Sequence, residues 1–263
     1  MLLKGKNAII YGAGGAIGGA VARAFARDGA RVFLTGRSIA TIDAVAKDIV
    51  AAGGAAEAAH VDALDERAVG EHVAAVVKKA ESIDVSFNAI GLIPQQGIQG
   101  IPLTELSVES FVLPITTYAR AHFVTAKAAA RRMIEQRSGV IMMHTPEPAR
   151  LGAPLVGGMG PAWAAMEGLC RALSAECAAH GVRAICLRTT GIPETGTIDV
   201  VFGLHAKAYG MTREQFQSLM EANTHRRRST TLQELANVAA FVASDQAAAM
   251  TGTVVNLTGG IVD

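Results

Sequence analysis

The chain has 263 residues, half of them hydrophobic and only 18% charged, which is enough for one well-buried core and too little for two ordinary domains with linkers. Its 24 basic and 23 acidic side chains leave a net charge of +1, so there is no electrostatic case for a nucleic-acid or anionic-membrane partner. The three cysteines, Cys170, Cys177 and Cys186, lie among apolar neighbours, which excludes a disulfide scaffold and fits reduced thiols in a cytoplasmic protein.

Residues 1–6 lead straight into an apolar run, without the hydrophobic region and cleavage site of a secretory signal. Strands are predicted over 7–11, 31–35, 55–61 and 85–87, the last followed by a turn at Gly91, with helices over 18–28, 39–52 and 66–79 between them. A long helix over 111–136, a strand over 140–144, a glycine-rich loop, a helix over 163–180 and a strand over 182–187 follow. A helix over 233–244 and a strand over 254–257 close the chain. The uncharged stretch 151–166 is broken by glycines, Pro154 and Pro161, and falls short of the roughly 20 apolar residues that a membrane span needs. Strands alternating with helices predict one doubly wound α/β domain over 1–263, around a parallel sheet of seven strands. Residues 193–228 interrupt the alternation with a polar, helical insertion, placed where such folds cover their substrates.

Gly12, Gly14, Gly15, Ile17 and Gly18 fall between the first strand and its helix, where bare backbone amides can cradle a pyrophosphate. An ordinary βα turn is the competing reading. Beyond the second strand, where an NAD-binding fold offers an acidic residue to the ribose, the chain has Arg37 and Ser38. A guanidinium there suits a 2′-phosphate, so NADP(H) is expected over NAD(H). No metal site is predicted.

These motifs, in this order, resemble the short-chain dehydrogenase/reductase family over the whole chain, which implies a Rossmann fold. The loop from Tyr11 to Gly18 is similar to the family's Thr-Gly-x-x-x-Gly-x-Gly, with Tyr11 for the threonine and Ala16 for the middle glycine. Asp62 and Ala63 resemble the adenine-contacting stretch, and Asn88, Ala89 and Gly91 the Asn-Asn-Ala-Gly turn. Residues 251–256, with Gly259 and Gly260, resemble the closing strand and its glycines. Gly191 and Ile192 stand beside the turn that contacts the nicotinamide, although the family's proline is absent. The family further implies a cytoplasmic homo-oligomer, a tetramer or dimer, acting on a small molecule.

The resemblance breaks down at the chemistry. Counting back from Glu167 puts Trp163 at the family's lysine, Met159 at its tyrosine and Pro146 at its serine; Tyr118 falls at its asparagine. Met159 and Trp163 read either as core packing or as an apolar wall for a flat substrate. Thr145 is the first candidate to orient a substrate oxygen, with His144, Glu147 and Tyr118 behind it; the plainer readings are a strand-end threonine, a core histidine and a solvated loop charge. The expected function is NADP(H)-dependent hydride transfer to or from a small apolar or conjugated acceptor. The alternative is a catalytically silent NADPH-binding sensor or partner subunit. The run Arg226-Arg227-Arg228 reads as a solvated rim or as a lure for an anionic tail.

Overall fold

A computed structural model describes residues 1–92 and 97–261. In chain order the elements are β1 (Asn7–Tyr11), α1 (Ala16–Arg27), β2 (Arg31–Gly36), α2 (Ile39–Ala51), β3 (Ala55–His60), α3 (Glu66–Ala80) and β4 (Val85–Asn88). They continue with α4 (Val108–Gln136), β5 (Gly139–Pro146), α5 (Met159–Cys177), β6 (Val182–Thr189), α6 (Gly196–Ala208), α7 (Arg213–Ala222), α8 (Leu232–Ala243) and β7 (Thr253–Leu257).

Seven parallel strands form one sheet in the order β3-β2-β1-β4-β5-β6-β7. This is the expected α/β Rossmann fold. The central strands are buried on both faces, as their unbroken apolar runs require. Strand alternation divides the core: Ile9 and Tyr11 pack with α3, α4 and α5, whereas Ala8 and Ile10 pack with α1, α2 and α8. Chain order reverses at β1 and β4, so the crevice at their C-terminal ends is where such sheets take ligands.

Helices α5 and α4 start furthest ahead of the sequence pattern. α5 begins at Met159 because Pro161 occupies its first turn, where the missing N–H has no helical acceptor to lose. Gly158 lets this helix abut α4, since a Cβ there would lie 1.8 Å from the Phe111 carbonyl oxygen. α4 begins at Val108 because Ser107 caps it, its hydroxyl accepting from the Ser110 N–H at 3.1 Å. The insertion folds as α6 and α7, which share their own small cluster of Phe202, Ala206 and Phe216. Among the described residues no helix is long and apolar enough to cross a membrane. All three cysteines are free and buried.

Candidate active site

The glycines of the β1–α1 loop serve two purposes. Gly12 has φ +75°, and a Cβ on it would sit 2.9 Å from the Ala89 carbonyl oxygen. A Cβ on Gly18 would lie 2.4 Å from the Gly12 oxygen, and one on Gly14 would lie 2.2 Å from the Thr41 hydroxyl. Close approach therefore explains these three, without any ligand. Gly15 is different: its nearest neighbour would be 3.4 Å away, and as the N-cap of α1 it offers no side-chain acceptor. The first amides of α1 are left for an external anion, beside the half-buried Ile17.

Around this loop the other nucleotide candidates converge. Arg37 follows β2 and is exposed, with no ion pair among the described residues, and the exposed Ser38 leads into α2. Asp62 accepts from the Leu64 N–H at 3.0 Å, next to buried Ala63. Asn88 donates to the Thr125 hydroxyl at 2.8 Å and accepts from the Ile90 N–H at 2.9 Å, tying the turn of Ala89 and Gly91 to α4. Open helix amides and a braced glycine turn fit a dinucleotide cofactor, with an exposed guanidinium beside them.

The ends of β5 and β6 have another character. Met159 and Trp163 are buried in the first turns of α5, and the Trp163 ring meets Tyr118 edge-on at 6.2 Å. Tyr118 accepts from the Leu92 N–H at 3.3 Å and stacks on His122 at 6.1 Å. Burial pushes the Tyr118 phenol up and the His122 imidazole down to about 3. His144 contacts the Thr189 hydroxyl at 2.9 Å, and burial brings it down to about 4. Both histidines are neutral at pH 7.

Thr145 has its hydroxyl engaged within the protein. It is wholly buried, its hydroxyl donating to Glu167 at 3.0 Å and lying 3.3 Å from the Cys186 sulfur. Glu167 in turn grips Arg188 through two bonds, Nε to Oε1 at 2.8 Å and Nη2 to Oε2 at 2.7 Å, and so holds the guanidinium above its usual range. Both partners are 5% exposed. The pair locks α5 to β6 beneath the crevice. Sequence reasoning missed it, although a carboxylate on an apolar helix and an arginine ending an apolar strand were its visible signals.

Glu147 corrects the expectation of a solvated loop charge. It opens the short helical turn after β5 and is 5% exposed, one carboxyl oxygen lacking any hydrogen-bond partner. Burial pushes its carboxyl up to about 7, opposed by bonds from its own N–H and that of Gly191. It lines a cavity of about 10 Å³ with Thr190, Gly191, Phe202 of α6 and Met220 of α7. Ile192 turns away into the core. Arg226 and Arg228 pair with Glu234 at 2.5 and 2.6 Å, and Arg227 bonds the Ala222 carbonyl, so the arginine run is a rim. No cluster of metal-ligating side chains occurs among the described residues.

With this geometry in place, comparison with known proteins is decisive at family level: a family described as enoyl-(acyl carrier protein) reductase matches residues 12–262. The chain is a short-chain dehydrogenase/reductase. An uncharacterized oxidoreductase, YxbG of Bacillus subtilis, is 30% identical over 98% of this chain and 92% of its own length. A probable 2,4-dienoyl-CoA reductase of Caenorhabditis elegans is 28% identical over 98% of this chain and 81% of its own. Among solved structures, an NAD⁺-bound xylitol dehydrogenase superposes with a TM-score of 0.92 at 24% identity, covering 99% of this chain and 100% of that one. The family is one of oxidoreductases that use NAD(P) and small-molecule substrates.

Proposed function

We propose that this short-chain dehydrogenase/reductase uses NADP(H) to reduce a small, conjugated, largely apolar acceptor in a centre that lacks the family's usual Asn, Ser, Tyr and Lys. The observation that carries the reading is the contrast at the two ends of the crevice. Arg37 is exposed and has no ion pair among the described residues, beside open helix amides, whereas Met159 and Trp163 bring only apolar surface and one indole N–H.

When bound, the reduced dinucleotide supplies hydride. Gly15 and the first amides of α1 hold the pyrophosphate, Arg37 and Ser38 hold the 2′-phosphate, and Asp62 and Ala63 border the adenine. Asn88 shapes the turn of Ala89 and Gly91, and Gly191 with the backbone of Ile192 forms the opposite edge. Tyr118, Met159 and Trp163 build the wall against which a flat acceptor lies, and Thr145 braces that wall from below through Glu167. A simple ketone would leave a localised alkoxide with no tyrosine to protonate it, while a conjugated acceptor spreads the arriving charge. The names of the family and of the dienoyl-CoA reductase relative, both enzymes of conjugated alkenes, support that substrate class. Exposed Val108, Val112, Leu113 and Phe123 on α4 support a homo-oligomer.

Calorimetry with NADPH and NADH tests the cofactor assignment. NADPH is expected to bind more tightly, and Arg37→Asp to erase a preference of about 10- to 100-fold, as suits a hydrogen-bonded charge pair of about 1.5–3 kcal/mol. Equal affinities in the parent protein remove the assignment.

A further inference from the structure

We propose that Glu147 is the proton donor of this centre and that its substrate is an alkene conjugated to a carbonyl, such as an enone or an enoyl thioester. The proposal rests on the reading above, that the chain oxidises a reduced dinucleotide with an organic acceptor. It starts from geometry. Glu147 sits at the C-terminal end of β5, almost fully buried, with a carboxyl oxygen that has no partner, and it lines a cavity closed by the lid helices α6 and α7. A buried carboxyl with an unmet oxygen costs stability, and a role in the chemistry accounts for its being kept there.

Of the charged and titratable groups on the surrounding elements, Arg150, Lys207 and Glu214 are exposed, and the following are committed elsewhere. On β5, His144 contacts Thr189, and on β6, Arg188 is held by Glu167 of α5. On α6, Asp199 pairs with Arg213 of α7, and His205 meets Gln99 at 3.3 Å. On α7, Glu221 accepts from Gln217 and Ser229, while Arg226 and Arg228 beyond it are taken by Glu234. Burial thus dominates the carboxyl, which is pushed up to about 7, the range in which a side chain can serve as an acid at neutral pH.

The location selects the chemistry. In ketone reduction the hydride and the proton arrive at neighbouring atoms of one carbonyl, on the wall where this chain has Met159 and Trp163. Conjugate reduction separates them. Hydride forms a C–H bond at the carbon β to the carbonyl, the alkene π pair shifts, and the charge settles as an enolate. The Glu147 O–H bond then breaks, its proton forming the C–H bond at the α-carbon and its electron pair remaining on the carboxylate. Bulk water re-protonates the carboxylate. The acceptor gains two electrons and the dinucleotide loses two. Because the cavity is only about 10 Å³, substrate entry requires the lid to move outward, and α6 and α7 pack mainly on each other.

The test uses the full chain with NADPH and an α-methyl cyclohexenone, whose reduction creates a stereocentre at the α-carbon. The parent is expected to give one enantiomer, with kcat/KM falling above about pH 7. Glu147→Gln, which keeps the shape and the acceptor for the Gly191 N–H, is expected to lose about 100-fold or more in kcat, to lose the pH break, and to give product racemic at that carbon. Its NADPH affinity by fluorescence titration should be unchanged, and Glu147→Asp should recover part of the rate. Infrared spectra of the dinucleotide-free parent should show a protonated carboxyl band, absent from Glu147→Gln, that disappears through about pH 7. A Gln variant within about threefold of the parent with the same pH profile, or a band already gone at about pH 5, overturns the donor role and leaves the oxidoreductase reading standing. A parent that binds NADPH but reduces no acceptor overturns the oxidoreductase reading, and the donor role with it.

Discussion

At the ends of β1 and β2 the chain leaves polar groups open, whereas at the ends of β5 and β6 it ties them to one another. The first region presents uncapped amides of α1 and an exposed Arg37. The second buries Thr145, Glu167 and Arg188 in one bonded group and leaves Glu147 with an unpartnered oxygen. The difference teaches that the two halves of a crevice on one sheet can treat their polar groups in opposite ways. An anion site needs only backbone geometry and one cation, while proton chemistry depends on individual side chains and on the partners each one has.

The largest effect should come from breaking the bonded group. Glu167→Leu leaves the Arg188 guanidinium buried without its carboxylate and is expected to cost about 3–5 kcal/mol in urea unfolding. Adding Arg188→Met should recover most of that loss, since a matched apolar pair removes both charges. A small cost for the single change would mean that water reaches this region and that it is as open as the nucleotide end.

Glu147 gives the next largest effect, and its sign is opposite to that of the histidines. Its folded-state pKa is raised from 4.5 to about 7, so the native state keeps a proton that the unfolded chain releases. That stability is fully present below pH 4.5 and is lost as pH rises through about 7. His144 and His122 are lowered from 6.5 to about 4 and about 3, so their penalty appears as pH falls below 6.5. Comparing Glu147→Gln with the parent isolates the carboxyl: the variant should gain about 3 kcal/mol relative to the parent between about pH 4.5 and pH 8 in urea titrations. A flat difference would place Glu147 in contact with solvent.

How much of this could be read from the chain differs between the same two regions. The strands at 7–11 and 31–35 and the loop between Gly12 and Gly18 were legible because local sequence determines them: apolar runs, close backbone approach and a helix start. The start of α5 was not, because Gly158, Gly160 and Pro161 read as loop until α4 is seen to need a Cβ-free neighbour. Thr145 was a reasonable choice at a strand end, but the residues that occupy it lie 22 and 41 positions away. Glu147 read as solvated because its burial depends on α6 and α7 folding back over it, and nothing in their sequence announces that contact.

The smallest expected effect concerns the apolar wall. Met159→Tyr combined with Trp163→Lys puts a phenol and an ammonium on this wall, yet on the reading proposed above it should not produce a proficient ketone reductase, because Pro146 and Tyr118 would leave the carbonyl unoriented. Ordinary ketone turnover by that double variant would show that the two regions differ by two side chains only.

The most direct measurement is steady-state NADPH oxidation with matched cyclic acceptors: saturated ketones, enones, quinones and imines of one ring size. The charge-spreading acceptors, enones and quinones first, should turn over well above the saturated ketones, because the wall of Met159 and Trp163 offers no acid to a localised alkoxide. Saturated ketones turning over fastest would contradict the account and would require a proton donor aimed at the carbonyl oxygen.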